Sequence, residues 1–302
     1  MRVLIAGGSG FVGRRLSELM KEKGFTLSLL TRGNVNLGCY DNMYYWDQLS
    51  GLCVSQFDIV INLCGYDISK KRWSNNVKEK IKNSRIQTTN RLLEFIDGKD
   101  IRFICASAIG IYPFSHKAQD EFNNFDDENS HGFCQDLVRS IEQNIIRSNA
   151  DRYILLRIGV VVGSLGFMKK MLPSAYLGMG ALFGRGDQLL SWIHIDDLCS
   201  AILNIIEIKR FNNEAINLTA PNACTQKEFI DTLCRNIKRP RFFVIPKVII
   251  NLIFGEMGKE LILSSHNIIP TKLLANSYHF RYPKIEDAIK SIIKKGKDNE
   301  RV

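Results

Sequence analysis

Three glycines, Gly7, Gly10 and Gly13, stand at steps of three in the stretch GGSGFVG, directly after the apolar, β-rich run RVLIA. Beyond them the period changes: Phe11, Val12, Leu16, Leu19 and Met20 fall on one face of a helix that Gly24 closes. A G-x-x-G-x-x-G turn between a buried strand and an amphipathic helix suits phosphate binding. The first glycine allows the tight turn, the second lets a pyrophosphate approach the backbone, and the third lets the helix pack on the strand. The start of the helix adds free N–H groups and a partial positive charge, and Ser9 adds a hydroxyl. Gly7, Ser9, Gly10, Phe11, Val12 and Gly13 are therefore expected to hold a dinucleotide. Its type is read at the end of the next strand, TLSLLT, where Arg32 offers a cation for the 2′-phosphate of NADP and no carboxylate stands ready for the ribose of NAD. NADP is the expected cofactor and NAD the less favoured one. The plain alternative for Arg32 is an exposed loop cation.

The elements that position this loop alternate along the chain. MYYW, FDIVINL, RFICAS and YILLRIGVV read as further strands, separated by a long helix marked by Val77, Ile81, Ser84, Thr88, Leu92 and Phe95 and by a second helix over roughly residues 133 to 148. LLSWIHI reads as a strand, a helix begins near Asp196, and AINLT reads as a last strand. Strand and helix repeated this way predict an α/β fold, a Rossmann-type doubly wound parallel sheet. From about Pro221 the chain reads as helical segments interrupted by prolines, which predicts a small, mainly helical C-terminal lobe. The expected division is residues 1–220 and 221–302, with 164–190 contributing to the substrate side.

Composition narrows the setting. Hydrophobic residues at 45% and charged ones at 24% are ordinary for a globular chain, while the net charge of +10 is high and is partly carried by the tail KSIIKKGKDNERV, which reads as solvated or fraying. No arginine and aromatic array accompanies the charge, so nucleic acid is not the expected partner. The longest apolar run, FFVIPKVIINLIF, is interrupted by Pro246 and Lys247 and falls short of the roughly 18 residues a membrane span needs. Eight cysteines without a C-x-x-C pair or metal-ligand spacing read as reduced, mostly buried thiols and predict no metal site. With no signal peptide read at the start, the expected location is the cytoplasm. The expected partner is a small-molecule substrate, with no membrane and a homodimer left open.

The glycine loop, NLCG (62–65), SAIGIY (107–112), LRIGVVVG (156–163) and WIHIDD (192–197) occur in an order that resembles the extended or atypical short-chain dehydrogenases/reductases. KRWS (71–74) and the segments RPRFFVIP, GEMGKELILSS and RYP look like one subgroup, the NAD-dependent epimerase/dehydratase-like proteins with a small C-terminal domain. The resemblance implies that Cys64 and Gly65 border the adenine-ribose side of the cofactor, that Gly159 and Val160 pass beside the nicotinamide, and that Ser107 or Ala108 stands at the proton-relay serine position. Members that turn over use Y-x-x-x-K on the helix after the fifth strand, the tyrosine exchanging a proton and the lysine lowering its pKa. Aligned on Glu142, those positions carry Cys134 and Val138 here, and no lysine occurs in the helix. Ser107 and Tyr112 are the substitute catalytic candidates; Cys134 lacks a nearby His or Lys to make a thiolate. Arg72 and Trp73 are expected near the cleft mouth, where a cation and an aromatic could grip a substrate. His194 is expected on the substrate side, where the resemblance has WIHIDD shape the cleft, and Asp196 is expected to cap the following helix.

Two functions fit these residues. One is an NADP-binding epimerase/dehydratase-like oxidoreductase with a non-standard proton relay; the other is an NADP(H)-binding sensor or scaffold without turnover. Loss of the Tyr/Lys pair favours the second, and a full-length cleft with its second lobe favours the first.

Overall fold

A computed structural model describes residues 1–35, 37–123 and 132–299. β1 (Arg2–Ala6) leads through α1 (Phe11–Glu22) to β2 (Thr26–Thr31) and β3 (Asn42–Tyr45); β4 (Ile59–Asn62), α2 (Asn75–Ile96), β5 (Arg102–Ala108), α3 (Phe133–Ile146) and β6 (Arg152–Ile158) follow. β7 (Val160–Val162), α4 (Phe167–Tyr176), β8 (Ala181–Phe183), β9 (Leu189–Leu190) and β10 (Trp192–His194) form an excursion away from the sheet, and α5 (Ile195–Ile208) and β11 (Glu214–Leu218) return to it. The rest is β12 (Cys224–Thr225), α6 (Gln226–Asn236), β13 (Phe243–Ile245), α7 (Lys247–Phe254), α8 (Glu256–Leu261), α9 (Thr271–Ala275) and α10 (Ile285–Asn299).

Seven strands pair in parallel in the order β3-β2-β1-β4-β5-β6-β11. The strand order reverses between β1 and β4, which leaves a crevice at their carboxyl ends. The alternation of strand side chains explains why the sequence reads as continuously apolar: Val3 and Ile5 face a core shared with α1 and α5, while Leu4 and Ala6 face a second core shared with α2 and α3. A third core, with Trp192, Phe229, Leu233, Ile289 and Ile292, holds α4, α6 and α10 together. The pair β7·β10 closes the excursion on itself, and β9·β12 and β8·β13 join it to the chain beyond β11.

Three expectations from the sequence change. YILLRIGVV is two strands, broken at Gly159: its N–H goes to Leu218 O (3.1 Å), the next N–H goes to Ser191 O (2.9 Å), and β7 pairs outside the main sheet. A Cβ at Gly159 would lie 2.6 Å from Ser191 O. LLSWIHI is likewise split, at Ser191, whose hydroxyl donates to His266 O and accepts from Ile268 N. The basic tail is helical as far as Asn299, because Ile289, Ile292 and Ile293 bury one of its faces; residues 300–302 lie outside the described residues.

The packing of α1 on its own loop is close. A Cβ on Gly13 would stand 2.5 Å from Gly8 Cα and 2.6 Å from Gly7 O, both backbone atoms with no rotamer to yield. Gly13→Ala is expected to destabilise the protein by about 1–3 kcal/mol through overpacking, read as a lower urea midpoint with an unchanged slope; an unchanged midpoint would show that the loop and helix can separate freely.

Candidate active site

The glycine loop lies against the chain that leaves β4. Gly7 has a φ of +81°, and a Cβ there would come within 2.7 Å of the Leu63 carbonyl and 2.8 Å of Cys64 N. Gly10 N donates to Gly7 O at 3.1 Å and closes the turn. Gly10 itself is different: its Cβ would meet only Gly7 O, at 3.3 Å, so its outer side is open. α1 starts at Phe11 with no side-chain cap and no acidic residue in its first turn, whereas α5 and α6 are capped by His194 and Thr225. The N–H groups and positive dipole end of α1 are thus left uncompensated at an open glycine, which fits a phosphate-bearing ligand. Phe11 lies against Gly163 and Gly166, and Val12 packs in the core beneath, so both offer the ligand backbone rather than side chain. Arg32 is exposed at the end of β2, and its charge partly offsets the burial that pushes the Cys64 thiol up to about 12.

Beyond the loop, a cavity of about 460 Å³ opens between the carboxyl ends of the strands and the C-terminal segment. Cys64, Gly65, Ser107, Ala108, Gly159 and Val160 line it, and so do Cys134 and Val138, the positions that would carry tyrosine and lysine. The structure therefore brings together the strand-end residues singled out in the sequence, with both Ser107 and Ala108 on the wall; of the two, Ser107 carries the hydroxyl. Ser107 Oγ donates to Glu142 Oε1 at 2.5 Å, and Arg157 holds both oxygens of Glu142, Nε to Oε1 at 3.0 Å and Nη2 to Oε2 at 2.7 Å. Glu142 and Arg157 are 4% and 8% exposed. Such a bidentate pair satisfies charges that burial would otherwise penalise heavily.

Four sequence candidates are placed elsewhere. Tyr112 is 1% exposed, and its hydroxyl donates to Asn217 Oδ1 (2.8 Å) and accepts from Arg157 Nη1 (3.1 Å), behind the cavity wall. Burial pushes its pKa up to about 12, and it is not among the cavity's lining residues. His194 is buried as well: Nδ1 accepts from Asp196 N and Nε2 meets Ser291 Oγ at 3.1 Å. His194, not Asp196, caps α5, while Asp196 pairs with Arg15 and Asp197 accepts from Arg281 N and Tyr282 N. Trp73 meets Phe133 edge to face and donates from Nε1 to Ile68 O, and Arg72 is exposed beside Gly255; neither lines the cavity.

Other residues at the site went unread in the sequence. Glu260 reaches from α8 and accepts from Phe133 N (2.9 Å) and Cys134 N (2.8 Å), capping the start of α3. Burial and the Glu260 charge hold the Cys134 thiol well above its ordinary range, which disfavours the thiolate. Arg85 projects from α2 into the cavity, and His266 lines its far side with Nδ1 buried and unpartnered. The signal available was a charge in an apolar context: Arg157 inside LLRIGVV must be paired once that run is a buried strand. Among the described residues no three His, Cys, Asp or Glu side chains gather as a metal site, and no helix is long and apolar enough to cross a membrane.

The profile of the NAD dependent epimerase/dehydratase family matches residues 3–219, and that of a domain of unknown function, DUF1731, matches residues 245–292. An epimerase family protein of Staphylococcus epidermidis is 32% identical over 97% of this chain and 99% of its own length. The Arabidopsis thaliana homologue of epimerase family protein SDR39U1, described as chloroplastic, is 28% identical over 97% of this chain and 87% of its own. The crystal structure of human epimerase family protein SDR39U1 with NADPH superposes with a TM-score of 0.88 at 29% identity, covering 97% of this chain and 99% of that one.

Two outcomes follow from the buried charges. Arg157→Met leaves Glu142 unpaired in the core and is expected to cost about 3–5 kcal/mol, measured by denaturant unfolding at neutral pH; a loss below about 1 kcal/mol would mean that water reaches Glu142. Burial lowers the pKa of His266 from 6.5 to about 4. The folded state then binds this proton more weakly than the unfolded chain, so stability is fully present above pH 6.5 and declines between pH 6.5 and 4, by up to about 3 kcal/mol. His266→Gln should flatten that part of the pH profile, and a profile of unchanged slope would assign the loss to other groups.

Proposed function

Because this chain belongs to the NAD-dependent epimerase/dehydratase family, we propose that it binds NADP(H) and acts as an oxidoreductase or epimerase on a small metabolite held beside Ser107. The observation that carries this reading is continuity: Gly7 lies on Leu63 and Cys64, and those two residues with Gly65 form one wall of the cavity. The residues that would hold the dinucleotide are Gly7, Ser9, Gly10, Phe11, Val12 and Gly13 at its phosphates, Arg32 at the 2′-phosphate, and Cys64, Gly65, Gly159 and Val160 along the strand ends. When bound, NADP(H) supplies or accepts a hydride at a substrate carbon. NADPH in the human relative's crystal structure supports the same guest here.

The chain's own residues then handle the proton. Ser107 commits its hydrogen to Glu142 and so presents lone pairs to the cavity, where it can accept a hydrogen bond from a substrate hydroxyl. Transfer of that proton to Ser107, with the serine's own proton passing to Glu142, is the relay this arrangement allows. Arg157 opposes it, since a proton on Glu142 would leave the buried guanidinium without its counter-charge. The competing reading, NADP(H) binding without turnover, draws on that opposition and on Cys134 and Val138 at the tyrosine and lysine positions. The cytoplasm remains the proposed location, supported by eight free cysteines that suit a reducing compartment.

Thermal unfolding with each dinucleotide tests the binding step. NADPH and NADP⁺ should raise the melting temperature more than NADH and NAD⁺, and Arg32→Glu should erase that preference by replacing a cation with a carboxylate, a loss of about tenfold or more in NADP(H) affinity. A wild type that neither dinucleotide stabilises would overturn the reading, and an unaltered preference in Arg32→Glu would remove Arg32 from the 2′-phosphate. NADPH consumption with carbonyl compounds, lowered in Ser107→Ala at unchanged NADPH affinity, separates turnover from binding alone.

A further inference from the structure

Resting on the dinucleotide reading above, we infer that the second ligand is an apolar carboxylic acid, not a polyhydroxylated one, and that Arg85 anchors its carboxylate.

Most polar side chains that line the cavity are already spent on backbone. Gln188 Nε2 donates to Phe183 O and Ile262 O. Gln226 donates to Ala181 O and accepts from Phe183 N. Ser191 donates to His266 O and accepts from Ile268 N, and Ser264 donates to Glu260 O. Glu260 has both oxygens on the first N–H groups of α3. A sugar placed here would find few partners for its hydroxyls, and each one left unsatisfied costs about 1–3 kcal/mol. The remaining wall is apolar, with Phe114, Phe167, Met171, Phe183 and Phe229 among its residues.

Arg85 is the exception. Its Nη1 donates to Tyr66 O (3.1 Å) and Ile81 O (3.2 Å), which fixes the side chain, while Nε and Nη2 have no protein acceptor among the described residues. Among the described residues no carboxylate forms an ion pair with it; Asp67, whose field reaches it, is engaged by Lys170 (2.9 Å) and Ser69 (2.8 Å). Its guanidinium lies over Gly65, where a Cβ would be 2.9 Å from Cζ and from Nη2. A half-buried guanidinium with two free N–H-bearing nitrogens on one side of a largely apolar cavity matches the geometry of a single carboxylate. His266 offers a second unspent group in the same cavity, its Nδ1 buried without a partner. An acid with one further carbonyl or hydroxyl would engage both.

The test uses the full chain saturated with NADPH and three acids, benzoate, 3-phenylpropionate and hexanoate, each beside its matching alcohol, at about 10 mM in thermal unfolding. At least one acid should stabilise the wild type where its alcohol does not. Arg85→Gln should weaken that acid by about tenfold or more while NADPH affinity stays within about twofold, and Arg85→Lys, which keeps the charge without the fork, should lose less. Equal shifts from acids and alcohols, no acid-specific shift in the wild type, or an acid effect that survives Arg85→Gln would each overturn the inference. A loss of NADPH affinity in Arg85→Gln in place of acid affinity would also overturn it, assigning the cation to the dinucleotide phosphates. Failure of the dinucleotide reading itself is seen separately, as an absence of stabilisation by NADPH alone.

Discussion

The buried pair of Glu142 and Arg157 sets the terms for much of the rest of this structure. Arg157 sits in β6, a strand covered on both faces, and Glu142 is on the face of α3 turned to the sheet. Taking two charges into such a core is costly unless every donor and acceptor is matched, so the surroundings are arranged to match them. Ser107 at the end of β5 donates to Glu142, and Arg157 turns its remaining nitrogen to Tyr112, which lies under the guanidinium at 5.3 Å and passes its own proton to Asn217 in β11. Asn217 in turn donates to Ile269 O and, through its backbone, to Glu121, whose second oxygen accepts from Thr271 N. One charge pair thus fixes the serine that faces the cavity and ties three strands to the segment that leads into α9.

A second carboxylate joins the C-terminal segment to the same helix. Glu260 caps α3 from α8, and Gly132, with a φ of +139°, is where a side chain would collide with that carboxylate. The cap compensates the positive end of α3, leaving α1 as the helix whose start is free at the strand ends. An uncompensated helix start is therefore offered at the glycine loop and not beside Cys134. Glu260, Leu261, Ile262, Ser264 and His266 line the cavity, so a segment remote in sequence forms part of its wall.

The alternation of strands and helices, the glycine turn and the strand-end residues Cys64, Gly65, Ser107 and Gly159 were legible because they rest on local rules: period, chain reversal and the place of ligands in doubly wound sheets. The errors share a cause. Tyr112 and His194 carry reactive groups, and the sequence does not reveal that each is turned inward and consumed by partners more than forty residues away. The breaks at Gly159 and Ser191 were invisible for a related reason, since both residues bond to distant segments and not to their neighbours. Arg85 and Glu260 carry no local signal in the sequence, and only the fold turns them toward a common cavity.

The arrangement also separates two properties that the glycine motif alone would merge. In the proposed reading the loop, the uncapped start of α1 and Arg32 serve the phosphate-bearing ligand and do not depend on α3. The proposed proton handling would involve α3, and there the side chains lining the cavity are Cys134, whose thiol is held above its ordinary range, with Leu137, Val138 and Ile141. A cation is nevertheless supplied, by Arg85 from α2, whose field reaches Cys134 from the opposite wall. A fixed positive charge of this kind cannot exchange a proton as a lysine–tyrosine pair does, but it can orient an anionic group. In the proposed reading, charge then positions the ligand, and the proton moves through the hydroxyl of Ser107 or does not move at all.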